Sequence, residues 1–212
     1  MQVRSFTFNP FQENTYVVYD DSGECIVIDP GCSNAAERQA LDDFIAAQKL
    51  KPVKLINTHA HIDHILGNSH VAFRYKLDLE MHQADVGILR AAPAYSEMWG
   101  VKMDPSPEPS LLLNDGDTVS FGNTTLKVLF TPGHSPGSVC FYSDQDKAII
   151  SGDVLFYESI GRTDLPGGDY ETLISSIRNK LFTLPEEVIV YPGHGPATSI
   201  GHEKRSNPFV QG

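Results

Sequence analysis

Residues 59–64 read His59-Ala60-His61-Ile62-Asp63-His64, three imidazoles and one carboxylate within six positions. An apolar, β-rich run from Val53 to Thr58 leads straight into them. Imidazole suits zinc, copper, iron and nickel, and a carboxylate adds hard-oxygen character. Gathering several polar rings brings no packing gain, because burying them costs free energy unless they are hydrogen-bonded or coordinated. The cluster therefore reads as a metal site. Four ligands on one short turn after a strand can serve two ions, because neighbouring side chains there point different ways.

The pattern of β run, tight turn and ligand recurs. His134 lies in Phe130-Thr131-Pro132-Gly133-His134-Ser135-Pro136-Gly137, just after the apolar run Leu126 to Phe130. His194 lies in Val190-Tyr191-Pro192-Gly193-His194-Gly195-Pro196, after Val188 to Tyr191. Between them, Ile149-Ile150-Ser151-Gly152-Asp153 sets a carboxylate at another strand end. Glycine lets the backbone bend sharply, so the side chain that follows can be aimed into a cleft. In helix-covered sheets, ligands bind beyond the carboxyl ends of strands. His70, His82 and His202 have no motif around them and read as structural or solvated.

The elements that must position these residues follow from periodicity and turn chemistry. Val3 to Phe8, Thr15 to Tyr19 and Glu24 to Ile28 are strand candidates, the last two joined by Asp20-Asp21-Ser22-Gly23. Ser33 or Asn34 can cap a helix over about 35–49, with Pro52 expected to end it. Residues 65–76 read as one helix under the histidine cluster, 79–82 as a short strand and 83–91 as helical. Residues 92–109 hold four prolines with Tyr95, Met98 and Trp99, and read as an irregular loop, either a lid beside the metal site or a segment packing its aromatics on a sheet. The stretch 113–156 is strand-rich, 170–182 is an amphipathic helix, 188–191 is a last strand, and a last helix begins near Ser199. The order strands, ligand, helix thus occurs twice. It fits an α+β fold, a four-layer αβ/βα sandwich with two sheets face to face and helices outside. No linker composition splits the chain, so one domain over 1–212 is expected.

Composition narrows the partners. The chain has 212 residues, 16 basic and 27 acidic, for a net charge of −11 with neutral histidines. That balance argues against nucleic acid and anionic membranes. Cys25, Cys32 and Cys140 are an odd count in apolar surroundings and form no disulfide framework. Cys32 follows Asp29-Pro30-Gly31 and reads as an inert thiol. No apolar leader precedes Met1-Gln2-Val3-Arg4 and no apolar run reaches spanning length, so the expected setting is cytoplasmic.

The series His-x-His-x-Asp-His, Pro-Gly-His, Gly-Asp and Gly-His resembles the metallo-β-lactamase superfamily, over nearly the whole chain from Ile28-Asp29-Pro30-Gly31 to Asn207-Pro208. Gly152-Asp153, Gly161-Arg162-Thr163-Asp164, Pro192-Gly193-His194-Gly195 and Asn207-Pro208-Phe209 are similar to the hydroxyacylglutathione hydrolase (glyoxalase II) branch and its shorter bacterial relatives. The resemblance implies that His59, His61 and His134 hold one divalent ion, that Asp63, His64 and His194 hold a second, and that Asp153 bridges them. Zinc is the expected metal, and the same ligands accept iron or manganese. A water polarised by two such ions ionises near neutral pH. Asp63 is the catalytic candidate as well as a ligand. Asp29, at the end of a neighbouring strand, is the candidate to receive an imidazole N–H from behind the metal; the alternative is an aspartate that starts the turn before Pro30-Gly31.

Arg162 is the substrate candidate, at the place where those hydrolases set a basic side chain for a carboxylate of glutathione; the alternative is an ion pair with Asp164 or Asp169. The implied substrate is a small thioester such as S-lactoylglutathione. The longer hydrolases carry a C-terminal helical segment with further glutathione contacts, whereas this sequence stops at Gly212, so the implied glutathione site is incomplete. A persulfide dioxygenase, with one iron on His59, His134 and Asp153, is the alternative activity. Its final motif usually reads Pro-Ala-His-Asp-Tyr, against Pro192-Gly193-His194-Gly195-Pro196 here. β-Lactam hydrolysis is disfavoured because the best-known lactamases place a cysteine where Asp153 stands.

Overall fold

Strand β1 (Gln2–Phe8) pairs antiparallel with β2 (Glu13–Tyr19) in the computed structural model, and β2 pairs antiparallel with β3 (Glu24–Ile28). Residues 1–98 and 100–211 are described; Trp99, part of the expected 92–109 loop, lies outside them. The chain forms two compact units, Met1–Leu113 with Ser120–Thr125, and Asn114–Val119 with Leu126–Gly212.

In the first unit the sheet order is β1-β2-β3-β4-β5-β6, with β4 (Lys51–Ile56), β5 (Leu79–His82) and β6 (Pro109–Leu113) continuing parallel to β3. The register sets Ile28 beside Ile56, and Ile56 beside Glu80. Strands β3 and β4 therefore end level and β5 runs two residues beyond them, and Asp29, Thr58 and Asp85 all follow at that edge. Val27, Leu55, Leu79 and Met81 are buried with Leu41 and Ile45 of α1 (Ala35–Ala47) in one apolar cluster. Each such side chain contributes roughly 1.5–3 kcal/mol on burial.

Three expectations are corrected here. The first helix is capped by Asn34, whose side chain accepts from the Ala36 and Glu37 amides, but it ends at Gln48 with left-handed Lys49, not at Pro52. Pro52 instead sits in β4 at the register shift against Cys25 and Ile26, where a missing ladder donor is tolerated. The helix expected over 65–76 is two, α2 (Ile62–Ile65) and α3 (Asn68–Tyr75). Gly67 separates them; its N–H donates to Pro30 O at 2.6 Å, and a Cβ there would lie 2.4 Å from Cys32 Sγ. Residues 92–98 are helical, because α4 (Val86–Met98) runs through Pro93. Val86, Leu89, Ala92 and Ser96 bury one face of it, and that burial offsets the hydrogen bond the proline cannot make.

The second sheet has the order β14-β13-β10-β9-β8-β7: β14 (Thr198–Ser199), β13 (Ile189–Pro192), β10 (Ala148–Gly152), β9 (Val139–Ser143), β8 (Thr124–Phe130) and β7 (Thr118–Phe121). The β10–β13 pair is parallel, so Gly152 lies beside Pro192 and the turns bearing Asp153 and His194 leave together. Helix α5 (Tyr170–Ser176), capped by Asp169, continues into a π turn over Ile177–Leu181; Leu173, Ile174, Ile177 and Leu181 pack with Ile149, Val188 and Val190. Helix α6 (Ile200–Ser206) is capped by Ser199. A small hairpin, β11 (Leu155–Phe156) with β12 (Ser159–Ile160), follows Asp153. Among the described residues no helix is long and apolar enough to cross a membrane.

Candidate functional site

In the first unit, Asp29 organises the histidine turn. Its Oδ1 accepts the Thr58 amide at 2.7 Å, and its Oδ2 accepts the Thr58 hydroxyl and lies 3.0 Å from His64 Nδ1. A carboxylate accepts only, so Nδ1 of His64 carries the proton and Nε2 keeps its lone pair. The same reasoning fixes His59. Thr58 has one hydroxyl proton, given to Asp29, so at 3.0 Å its oxygen receives the proton of His59 Nδ1. Both rings thus present Nε2 as a ligand atom, the arrangement that metal-binding imidazoles use. One ligand atom each from Asp29, His59 and His64 lie within 4.8 Å of one another. The rings of His59 and His61 stand 4.8 Å apart at 89°, and those of His59 and His64 are 4.1 Å apart. His59 and His64 are buried, whereas His61 and Asp63 are half-buried.

Other buried polar groups hold the turn. Asp85 accepts the Ala60 amide at 2.9 Å, midway between His59 and His61. Asn9 donates to Asp63 O and Gly31 O, and Asn57 donates to His64 O and receives Asn68 Nδ2. Glu13 is wholly buried, which pushes its carboxyl well above the ordinary range; one oxygen accepts from Thr15 and the other lies 4.0 Å from His64 Nδ1. None of these five carries a motif. Only Asp85 had a signal to find: like Asp153 it is a carboxylate following a strand end.

In the second unit, His134, Asp153 and His194 come together. Asp153 Oδ2 is 3.5 Å from His134 Nε2 and 3.5 Å from His194 Nε2. His134 Nδ1 donates to Arg162 O at 2.8 Å, so this ring also presents Nε2. Two glycines make the approach. Gly133, at φ +133°, would drive a Cβ to 2.3 Å from Leu173 N, and a Cβ on Gly161 would lie 1.9 Å from Asp153 O. Phe156 meets the His194 ring edge-on at 6.2 Å. The Arg162 guanidinium is engaged by Asp164, with Nε and Nη2 each 2.7 Å from a carboxylate oxygen.

The donor set and its spacing fit a metal. Ligands about 2.0–2.2 Å from a tetrahedral ion stand about 3.3–3.6 Å apart, longer than a hydrogen bond of about 2.7–3.2 Å. The two Asp153 distances match that edge, as does the 3.6 Å from His64 Nε2 to Asp63 Oδ2. The chain therefore carries His/Asp groups able to hold metal ions. The remaining histidines have local partners: His70 meets Asp42, His82 accepts the Ala84 amide, and His202 meets Glu158. All three cysteines are free and buried, and burial pushes each thiol up to about 12.

Comparison with known proteins gives the same direction. The family model described as metallo-beta-lactamase superfamily matches residues 8–194. A "Hydroxyacylglutathione hydrolase GloC" from Haemophilus influenzae is 34% identical, covering 99% of this chain and 98% of the relative. A crystal structure titled "BLEG-1 B3 metallo-beta-lactamase" superposes with a TM-score of 0.91 and 38% identity, covering both chains completely. A second, titled "TTHA1623 in a di-iron-bound form", has a TM-score of 0.88 and 38% identity over 98% of this chain and all of the other.

Proposed function

Because this chain belongs to the metallo-β-lactamase superfamily and has its α+β fold, we propose that it is a binuclear metal-dependent hydrolase of small thioesters of the hydroxyacylglutathione type. His59, His61 and His134 are assigned to one ion, Asp63, His64 and His194 to the other, and Asp153 to both, with zinc as the metal. The observation that carries this reading is the control of ring tautomer. His59, His64 and His134 each give Nδ1–H to a fixed acceptor, and Nε2 of His64 and of His134 stands 3.6 and 3.5 Å from an aspartate oxygen. A histidine held only for packing needs its N–H satisfied, but gains nothing from leaving an Nε2 lone pair facing a carboxylate. The relative with two irons supports the count of two, and the relative named for hydroxyacylglutathione supports the substrate class.

Two bound divalent ions supply a water acidified to near neutral pH and a polarised acyl carbonyl. The protein's own groups do the rest. Asp63, half-buried beside His64, takes the proton of the attacking water as its oxygen bonds to the acyl carbon, and returns it to sulfur as the carbon–sulfur bond breaks. Asp29 and Asp85 hold the histidine turn still, and the Arg162 carbonyl holds His134. Arg162 receives a carboxylate of the substrate through its rigid fork. The free thiols agree with a reducing, cytoplasmic setting.

The test is turnover of S-lactoylglutathione by purified, metal-loaded protein, with elemental analysis alongside. Two metals per chain and turnover abolished in His59→Ala support the reading; no turnover above that variant removes the substrate. One iron with oxygen uptake on a glutathione persulfide would assign the dioxygenase instead. A cephalosporin belongs in the same assay, since the 38% identical lactamase supports a cyclic amide as the second substrate class.

A further inference from the structure

The Asn207-Pro208-Phe209 signature has no place in the chemistry above, yet Asn207 is fully buried and every polar atom of its side chain is used. Its Nδ2 donates to Ser159 O at 2.9 Å and to Glu203 Oε2 at 2.8 Å, and its Oδ1 accepts the Phe209 amide. Glu203 is also fully buried. Its Oε2 takes the Glu158 amide at 3.0 Å, and its Oε1 takes the Thr198 hydroxyl. The pair grips two successive backbone positions, 158 and 159, at the tip of the β11–β12 hairpin. Outside the same tip, Tyr157 stacks on His202 at 5.0 Å and 12°, and Glu158 meets His202 Nε2.

The other end of this hairpin is where the second unit's ligands are set. Asp153 lies two residues before the first residue of β11. Gly161, immediately after β12, packs against Asp153 O, and Arg162 O fixes the His134 ring. Phe156, in β11, lies against His194. One hairpin thus touches all three ligands, and an isolated two-stranded ribbon of this size does not hold its own shape in water. We infer that Glu203 and Asn207 are positioning residues for the metal ligands His134, Asp153 and His194, acting through the hairpin. Helix α6 then does more than cover a core: through the hairpin it sets the geometry of these three ligands. This inference rests on the proposed metal centre, not on the thioester substrate.

Cobalt(II) is the probe, because its visible absorption reports ligand geometry without turnover. Apo-protein, Asn207→Ala and Glu203→Gln are titrated with cobalt against a competing chelator, alongside Leu41→Ala, a buried change in the first unit's core. The expected result is a tenfold or greater loss of cobalt affinity and an altered visible spectrum in Asn207→Ala, a smaller change of the same kind in Glu203→Gln, and unmodified affinity and spectrum in Leu41→Ala at a comparable loss of Tm. If Asn207→Ala does not fold, Glu203→Gln carries the comparison. Unchanged affinity and spectrum in the hairpin variants, or an equal effect of Leu41→Ala, overturns the inference and leaves the hydrolase reading intact. An unmodified protein that takes up no cobalt sinks both.

Discussion

The Asp29 carboxylate lies 3.0 Å from His64 Nδ1 while its other oxygen holds the Thr58 amide, so one side chain fixes both the backbone before the histidine turn and a ring within it. Asp29 is left-handed, at φ 49°, a conformation asparagine also tolerates. Asp29→Asn therefore keeps the backbone while removing the charge that holds the His64 tautomer. It should weaken zinc binding by about 10–100-fold, measured by chelator competition, with most of the Tm retained. Asp29→Ala should lose both.

Asp85 makes a separable contribution. Asp85→Ala removes the acceptor of the buried Ala60 amide, and an orphaned buried donor costs about 1–3 kcal/mol. Urea unfolding of apo-protein should show that loss. Stability unchanged within error would mean the amide finds another acceptor.

Gly161→Ala should be the most damaging single methyl group in the second unit. The added carbon falls 1.9 Å from Asp153 O and 3.0 Å from His134 Nδ1, and the nearer obstacle is backbone. Overpacking of this kind costs about 1–3 kcal/mol or more. Lower Tm and lost metal uptake are expected together, by calorimetry and elemental analysis.

Arg162→Ala should raise KM for S-lactoylglutathione by less than about tenfold with a smaller effect on kcat, because the substrate carboxylate must displace Asp164 from the fork and only the surplus of that exchange, below the ~1.5–3 kcal/mol of a full charge-assisted contact, appears. A thioester without a carboxylate should not respond. The hydrogen bonds from Arg162 lower the Asp164 carboxyl from 3.8 to about 2. Its stabilising contribution is therefore complete above pH 4 and lost as pH falls through about 2, and screening keeps it small. KM should be insensitive to this pair between pH 4 and 7.

The thiols give a solvent-side check. With each held near 12 by burial, the thiolate fraction is very small at pH 8. A thiol-specific reagent should label none of Cys25, Cys32 and Cys140 in folded protein, and all three in denaturant. Rapid labelling of Cys32 in the native state would show the 30–32 turn open.

The legible part of this molecule is the part written in short-range chemistry. Glycines and prolines marked the turns at 133 and 193, Asn34 and Ser199 marked helix starts, and His134, Asp153 and His194 stood at recognisable strand ends. What misled was a local rule outweighed by packing. Pro93 signalled a loop, but one apolar face of α4 stayed buried; Pro52 signalled a helix stop, but a bulge took it into a strand. Invisible altogether were contacts made across long separations. Nothing in sequence joins Asn9 to Asp63 or Asn207 to Ser159, because a carboxamide looks alike on the surface and in a buried network. The division into two units was equally silent, since it falls after β6 and within β7 and β8, where no linker composition marks it.

Arg162 does not wait with an empty hand. The acid that fills its fork is tethered two residues away, so it acts as a competitor whose local concentration never falls, on the order of millimolar or higher for so short a tether. An incoming anion must displace that resident partner, and a bare carboxylate does so only above the tethered acid's effective concentration. Discrimination at this position is therefore a contest between two acids, decided by whatever else the visitor can grasp.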